Sequence, residues 1–184
     1  IICDGWSFGV IMREISKLYS TYVRGEIPDL PDAPKFSQYA MEQQRFYGSP
    51  EYKKIQQYWV DQFKNGVPVL DIPTDFQRPP TRTYKSHRDD YPLDKELVSA
   101  LRKMGTSVGC TLAITLRVAF EIFLYRLTGQ NDIVLGPPPA GKLATDNHDL
   151  VGHCVNPLPL RSRLNPEASF IEYLKQTKIE ILDA

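Results

Sequence analysis

The sequence is poor in the residues that would place it quickly. It has three cysteines, Cys3, Cys110 and Cys154, in 184 residues. Their spacing fits no redox pair or metal-ligand set, and an odd number suits a reducing cytoplasm better than a disulfide framework. Net charge is also lacking: 22 basic residues balance 22 acidic ones. That balance gives no electrostatic reason to expect nucleic acid or an anionic membrane as a partner. No apolar run is long enough to span a bilayer. The most apolar stretch, Leu112 to Leu127, is broken by Arg117, Glu121 and Arg126 and reads as a buried core helix. No basic segment precedes the apolar first residues, so no secretory signal is visible. There is no internal repeat, no Gly-x-Ser-x-Gly elbow and no His-Glu-x-x-His pair. Hydrophobic residues at 42% and charged residues at 24% give a globular composition.

What is present is a series of helices and short strands. From Trp6 to Arg24, residues Phe8, Ile11, Met12, Ile15, Leu18, Tyr19 and Tyr22 recur at spacings of three and four on one helix face. Ser7 is the expected N-cap and Gly25 the expected stop. Pro28, Pro31 and Pro34 mark an extended connection. Helical patterns follow over Lys35–Tyr47 and Pro50–Asn65, the second opening after Ser49 and ending before Gly66. Val67 to Tyr84 is proline-rich and crosses without a helical period. Ser86 to Leu93 reads as a strand, and Asp94 caps a helix to Ser107. Thr111 begins the apolar helix and Gly129 ends it. Asp132–Gly136 reads as a short buried strand, Pro137–Leu150 as a long loop, and Val151–Leu164 as an edge or bulged strand bent by Pro157 and Pro159. An amphipathic pattern returns from Glu167. Alternating strands and helices give an α/β or α+β class. Ile1-Ile2-Cys3 at one end, and Ile181 to Ala184 inside a helical pattern at the other, read as cuts through a longer chain.

Two candidate sites fail on their chemistry. Gly136 to Lys142 has the G-x-x-x-x-G-K spacing of a phosphate loop. Such a loop works through backbone N–H groups, and Pro137, Pro138 and Pro139 have none. Leu143 stands where a magnesium-binding hydroxyl belongs. His148, between Asp146 and Asp149 and close to His153 and Cys154, fits no common ligand spacing and reads as part of a solvated loop, so no metal site is expected. His87 has no sequence partner.

Asp4-Gly5-Trp6-Ser7, taken alone, is a turn and helix cap. Three further segments change its weight. They are Ile72-Pro73-Thr74-Asp75-Phe76-Gln77-Arg78-Pro79, Thr128-Gly129-Gln130-Asn131-Asp132-Ile133-Val134-Leu135-Gly136, and Val151-Gly152-His153-Cys154-Val155-Asn156-Pro157-Leu158-Pro159-Leu160-Arg161. Together and in this order, the four resemble the condensation domains of nonribosomal peptide synthetases. Ile1 to Ser7 resembles the tail of that family's His-His-x-x-x-Asp-Gly motif. The Gly-His-Cys-Val-Asn form is similar to domains of hybrid polyketide–peptide assembly lines. The Asp-Gly-Trp-Ser form is more like domains that take L-configured or achiral donors.

The resemblance implies a partial chloramphenicol-acetyltransferase-like fold, two lobes around a tunnel. Residues 1–66 would end the N-terminal lobe with its linking helices. Residues 67–184 would form the crossing segment and the first part of the C-terminal lobe. It implies a cytoplasmic acyltransferase that forms an amide between carrier-bound donor and acceptor. The partners would be two peptidyl carrier domains bearing 4'-phosphopantetheine and an adjacent adenylation domain, with no cofactor bound by the chain itself. Asp4 and Gly5 match the catalytic motif, Asp4 as a loop-shaping carboxylate paired with arginine and Gly5 as a point of close backbone approach. Trp6, Ser7 and Asn156 are the expected substrate-side residues. The motif histidine would sit immediately before Ile1, so the segment alone is expected to be inactive. Lys142 replaces a usual arginine and cannot make its bidentate fork. Pro157 replaces a usual threonine. Two rivals remain at this point: a standalone acyltransferase of the same superfamily, using coenzyme A or forming esters, and a degenerate condensation-like interaction module.

Overall fold

The structure, a computed structural model, describes residues 2–81, 83–138 and 148–183. The chain divides into two compact units. One comprises Ile1–Gly66 with Gly136–Pro159, and the other comprises Val67–Leu135 with Leu160–Ala184.

The first unit holds α1 (Gly5–Val23), α2 (Phe36–Phe46) and α3 (Pro50–Phe63). The cap of α1 is Asp4, not the expected Ser7. Asp4 has extended backbone, and its carboxylate accepts the Ser7 N–H at 2.8 Å. A carboxylate there meets both an unpaired amide and the positive end of the helix, so the helix starts one turn earlier than a Ser7 cap would allow. At the other end Gly25 adopts φ +72°, and its N–H reaches the Tyr22 carbonyl. The apolar face of α1 is largely left to solvent within this unit. Phe8 is 61% and Tyr19 71% exposed, whereas Ser7, Val10 and Thr21 are buried. Ser49 caps α3 by accepting the Tyr52 N–H, with Pro50 in the first helical position, as the sequence predicts. Phe46 and Tyr47 pack on Tyr52, joining α2 to α3 through rings.

The second unit opens with extended chain. The expected strand Ser86–Leu93 is absent; these residues have no ladder partner among the described residues and make local side-chain contacts, His87 with Asp89 and Arg88 with Asp90. A strand needs a neighbour to satisfy its backbone, which sequence alternation alone does not supply. Helix α4 (Lys95–Ser107) is capped by Asp94, which accepts the N–H groups of Glu96 and Leu97. Helix α5 (Leu112–Thr128) runs from a Thr111 cap to Gly129 in the left-handed region, as expected. The two helices meet closely at Gly105, where an added Cβ would lie 2.3 Å from Thr115 Oγ1. Helix α5 is apolar on both sides but buried on only one: Val118 and Leu124 are buried, Phe120 and Phe123 exposed.

Strand β1 (Asp132–Leu135) pairs antiparallel with β2 (Leu160–Arg163), Ile133 opposite Ser162. Only four of the fourteen residues expected in the second strand are in it. Pro157 and Pro159 have no N–H for a ladder. The amides of Gly152 and Cys154 are committed to side chains of the first unit. Helix α6 (Phe170–Asp183) starts with a reciprocal box, Ser169 and Glu172 each accepting the other's N–H. The core gathers Cys110, Val118, Leu124, Ile133, Leu164, Tyr173 and Leu174, with Leu70 and Phe170 against it.

Candidate functional site

Two of the four motif segments meet at the N-terminus of α1. The Asp4 carboxylate divides its oxygens between two segments. Oδ1 accepts the Ser7 N–H and lies 2.7 Å from the Ser7 hydroxyl, and Oδ2 accepts the Cys154 N–H at 3.1 Å. The Ser7 hydroxyl is fully buried and straddles one residue of the distant segment. It accepts the Gly152 N–H at 3.0 Å and lies 2.9 Å from the Gly152 carbonyl. Its single proton therefore has two acceptors in reach, Asp4 Oδ1 and the Gly152 carbonyl. The Asp-Gly-Trp-Ser segment and the Val-Gly-His-Cys segment, about 150 residues apart, thus form one hydrogen-bonded corner.

The rest of α1's first turns hold the approach to that corner. Trp6 Nε1 donates to the His148 carbonyl at 2.7 Å, with the two rings 6.2 Å apart. Arg13 makes an exposed ion pair with Asp149. Asn156 is exposed, outside this hydrogen-bonded set. Gly5 is the first helical residue, its φ is not positive, and an added Cβ would meet nothing within 4 Å.

Sequence reasoning missed the contribution of α2. Phe36 lies on Gly152 so closely that a Cβ there would sit 2.2 Å from its ring. Tyr39 lies against the buried Cys154 thiol; burial first, then the neighbouring Cys154, pushes its phenol above the usual range. Aromatic residues one turn apart are visible in the sequence, but nothing there says what they cover. Two motif contacts organise the second unit. The Gln130 side chain accepts the Asp71 N–H at 2.8 Å and donates to the Val69 carbonyl at 2.9 Å, which fixes the crossing segment just before Ile72-Pro73. Arg161 grips Asp132 through two hydrogen bonds of 2.8 and 2.6 Å.

Among the described residues, no group of three or more His, Cys, Asp or Glu side chains could hold a metal ion. Asp146, Lys142 and positions 139–142 of the phosphate-loop pattern lie outside the described residues. No single described helix is long and apolar enough to cross a membrane.

A mixed helix-and-strand fold in which two of the motif segments meet at an Asp-Gly corner defines a class of protein, and comparison with known proteins agrees. The family model described as Condensation domain matches residues 1–184, and the chain belongs to the condensation-domain family. Surfactin synthase subunit 1 of Bacillus subtilis (strain 168) is 36% identical over 184 residues, which is 100% of this chain and 5% of that protein. Gramicidin S synthase 2 of Brevibacillus brevis is 35% identical over 184 residues, 100% of this chain and 4% of that protein. The chain therefore spans a small fraction of the curated relatives it matches. The condensation domain from monacolin K polyketide synthase has the same fold, with a TM-score of 0.84 at 26% identity over 99% of this chain and 42% of that one. The α/β condensation fold expected from the sequence is the fold observed.

Proposed function

We propose that the chain is part of a condensation domain that forms an amide bond in nonribosomal peptide synthesis, in an assembly line of the purely peptide or hybrid polyketide–peptide kind. The donor is an acyl or peptidyl thioester and the acceptor an aminoacyl group, each on the 4'-phosphopantetheine of a carrier domain, with an adenylation domain adjacent and the assembly in the cytoplasm. The acceptor nitrogen attacks the thioester carbonyl, a C–N bond forms, and the C–S bond breaks. The amine gives up one proton and the departing sulfur takes one. A thioester is already activated, so the protein mainly brings two arms together and steadies the tetrahedral oxyanion. The family's motif histidine handles the proton, the oxyanion or both. We assign residues 1–66 to the end of the N-terminal lobe and 67–184 to the crossing segment and the first part of the C-terminal lobe. These residues carry the positioning part of the chemistry. The synthetase relatives disfavour a standalone acyltransferase or a non-catalytic module.

The observation that carries this reading is the Asp4 carboxylate bonded at once to the Ser7 and Cys154 amides, joining two motifs into one corner. Asp4 then shapes the loop and Ser7 ties it, while Gly5, Trp6 and Asn156 stand on the open side for substrate. Gly5 supports this most sharply. Its backbone conformation does not require glycine, and among the described residues no protein atom fills the space a methyl group would take. An open glycine at the first helical position leaves room beside the corner for a group outside the chain. In the intact domain Gly5→Ala should lower amide formation without lowering the melting temperature, and Asp4→Asn should lower both. Full activity in Gly5→Ala, or a stable and soluble but inactive Asp4→Asn, would reverse these assignments.

A further inference from the structure

We propose that Phe36 and Tyr39, at the start of α2, are positioning residues for the Asp4 corner, acting through Gly152 and Cys154. The inference rests on the amide-forming reading and adds to it a helix that the motifs do not include. Gly152 and Cys154 are each held twice. Their backbones are held by α1 and its cap, with both polar groups of Gly152 at Ser7 and the Cys154 amide on Asp4. Their side-chain positions are covered by α2, Phe36 on the bare Cα of Gly152 and Tyr39 against the Cys154 thiol. Residues three apart on a helix face present Cβ atoms about 5–6 Å apart. The Phe36 and Tyr39 rings, with centroids 5.6 Å apart, thereby meet two alternate residues of one segment.

The clamp is also a large part of what α2 contributes. Helix α2 has no buried residue, and its last turn packs by rings on Tyr52 of α3. Its first turn is what bears on the motif segment. Removing either aromatic frees one side of residues 152–154, and the Cys154 amide can then drift from Asp4 Oδ2. A shift of about 1 Å in a positioning element is enough to cost about a hundredfold in rate.

The test uses the full synthetase with both carrier domains loaded. Phe36→Ala and Tyr39→Ala should lower kcat by about 10- to 100-fold with the acceptor KM within about twofold, and Tyr39→Phe, which keeps the ring, should recover to within about threefold of wild type. Phe46→Ala, in the same helix but packed on α3, should change kcat by less than about threefold. The second readout is alkylation of Cys154 by N-ethylmaleimide, mapped on its peptide. It should accelerate about tenfold or more in Tyr39→Ala and stay slow in Tyr39→Phe, because burial protects a thiol. Unchanged kcat in both alanine variants of an active synthetase would overturn the proposal. So would an equal loss in Phe46→Ala, which would mark general loosening of α2. A wild-type synthetase that forms no amide would overturn the reaction reading instead, and the clamp would then stand or fall on the Cys154 alkylation rates.

Discussion

Asp132 shows how much one side chain can depend on a partner that the sequence does not reveal. Arg161 holds both carboxylate oxygens, and Arg163 adds a longer contact at 3.7 Å. The Arg161 hydrogen bonds keep the Asp132 carboxyl below its usual range. A carboxyl lowered in the folded state stabilises the fold above its unfolded value, and that stability is lost as pH falls from about 3.9 through the lower folded value. Asp132→Asn should therefore cost about 1.5–3 kcal/mol at pH 7, as for hydrogen bonds to a charged group, and flatten the acid side of the stability curve. Urea unfolding of both proteins between pH 7 and pH 3 measures this; parallel curves would show that the pair does not titrate with folding. Both residues stand in motifs visible in the sequence. Their pairing was not legible, because Arg161 lies opposite Val134 and reaches Asp132 diagonally, a consequence of strand register alone.

At the scale of elements, α5, β2 and α6 are joined by a charge placed inside the core. Glu121 is fully buried, and it accepts hydrogen bonds from Arg117 Nε, Ser162 Oγ and Tyr173 Oη at 2.8, 2.8 and 2.7 Å. Burial, and then the Glu121 charge, push the Tyr173 phenol well up, so it remains a donor to that carboxylate. Removing one member of such a set leaves another charge buried and unpaired. Glu121→Ala should destabilise the chain by about 3–5 kcal/mol, with Glu121→Gln costing less because it keeps an acceptor. Chemical denaturation decides it, and a loss below about 1 kcal/mol for the alanine variant would contradict the account. The sequence showed Arg117 and Glu121 as charges in an apolar stretch, four residues apart. Their inward direction was hidden, since Ser162 and Tyr173 arrive from other elements. The caps were read far more successfully than the strands. Asp94, Ser49, Thr111 and Gly129 act on neighbours within a few residues; of the three strands expected, Asp132–Gly136 is found as β1, whereas Ser86–Leu93 and most of Val151–Leu164 failed on partners that only the fold provides.

Across the whole molecule, the family was legible because four motifs in order are more specific than any local pattern. The way these motifs bind each other was not, because their ties cross from 29 residues, between Asp132 and Arg161, to 150, between Asp4 and Cys154. Burial is distributed unevenly. The apolar core of Val118, Leu124, Ile133 and Leu174 lies in the second unit, while α2 and α3 bury no residue. Hydrogen exchange of the 184-residue chain should be slowest in α5, β1 and the middle of α6, and faster by orders of magnitude in α2 and α3. Uniform protection across these helices would show that they share one cooperative unit.

The Asp4 corner also has a place in time. Its two sides are 150 residues apart in the chain. At about 5–20 residues per second, roughly 7–30 s of synthesis separate the appearance of Asp4 from that of Cys154. Throughout that interval Asp4 has Ser7 as its nearby partner, and Ser7 has no Gly152 to straddle. Helices α1 to α5 are all made before the bonds that close the corner become possible, so a ribosome that stalls before Cys154 leaves the Asp-Gly motif built but unfastened.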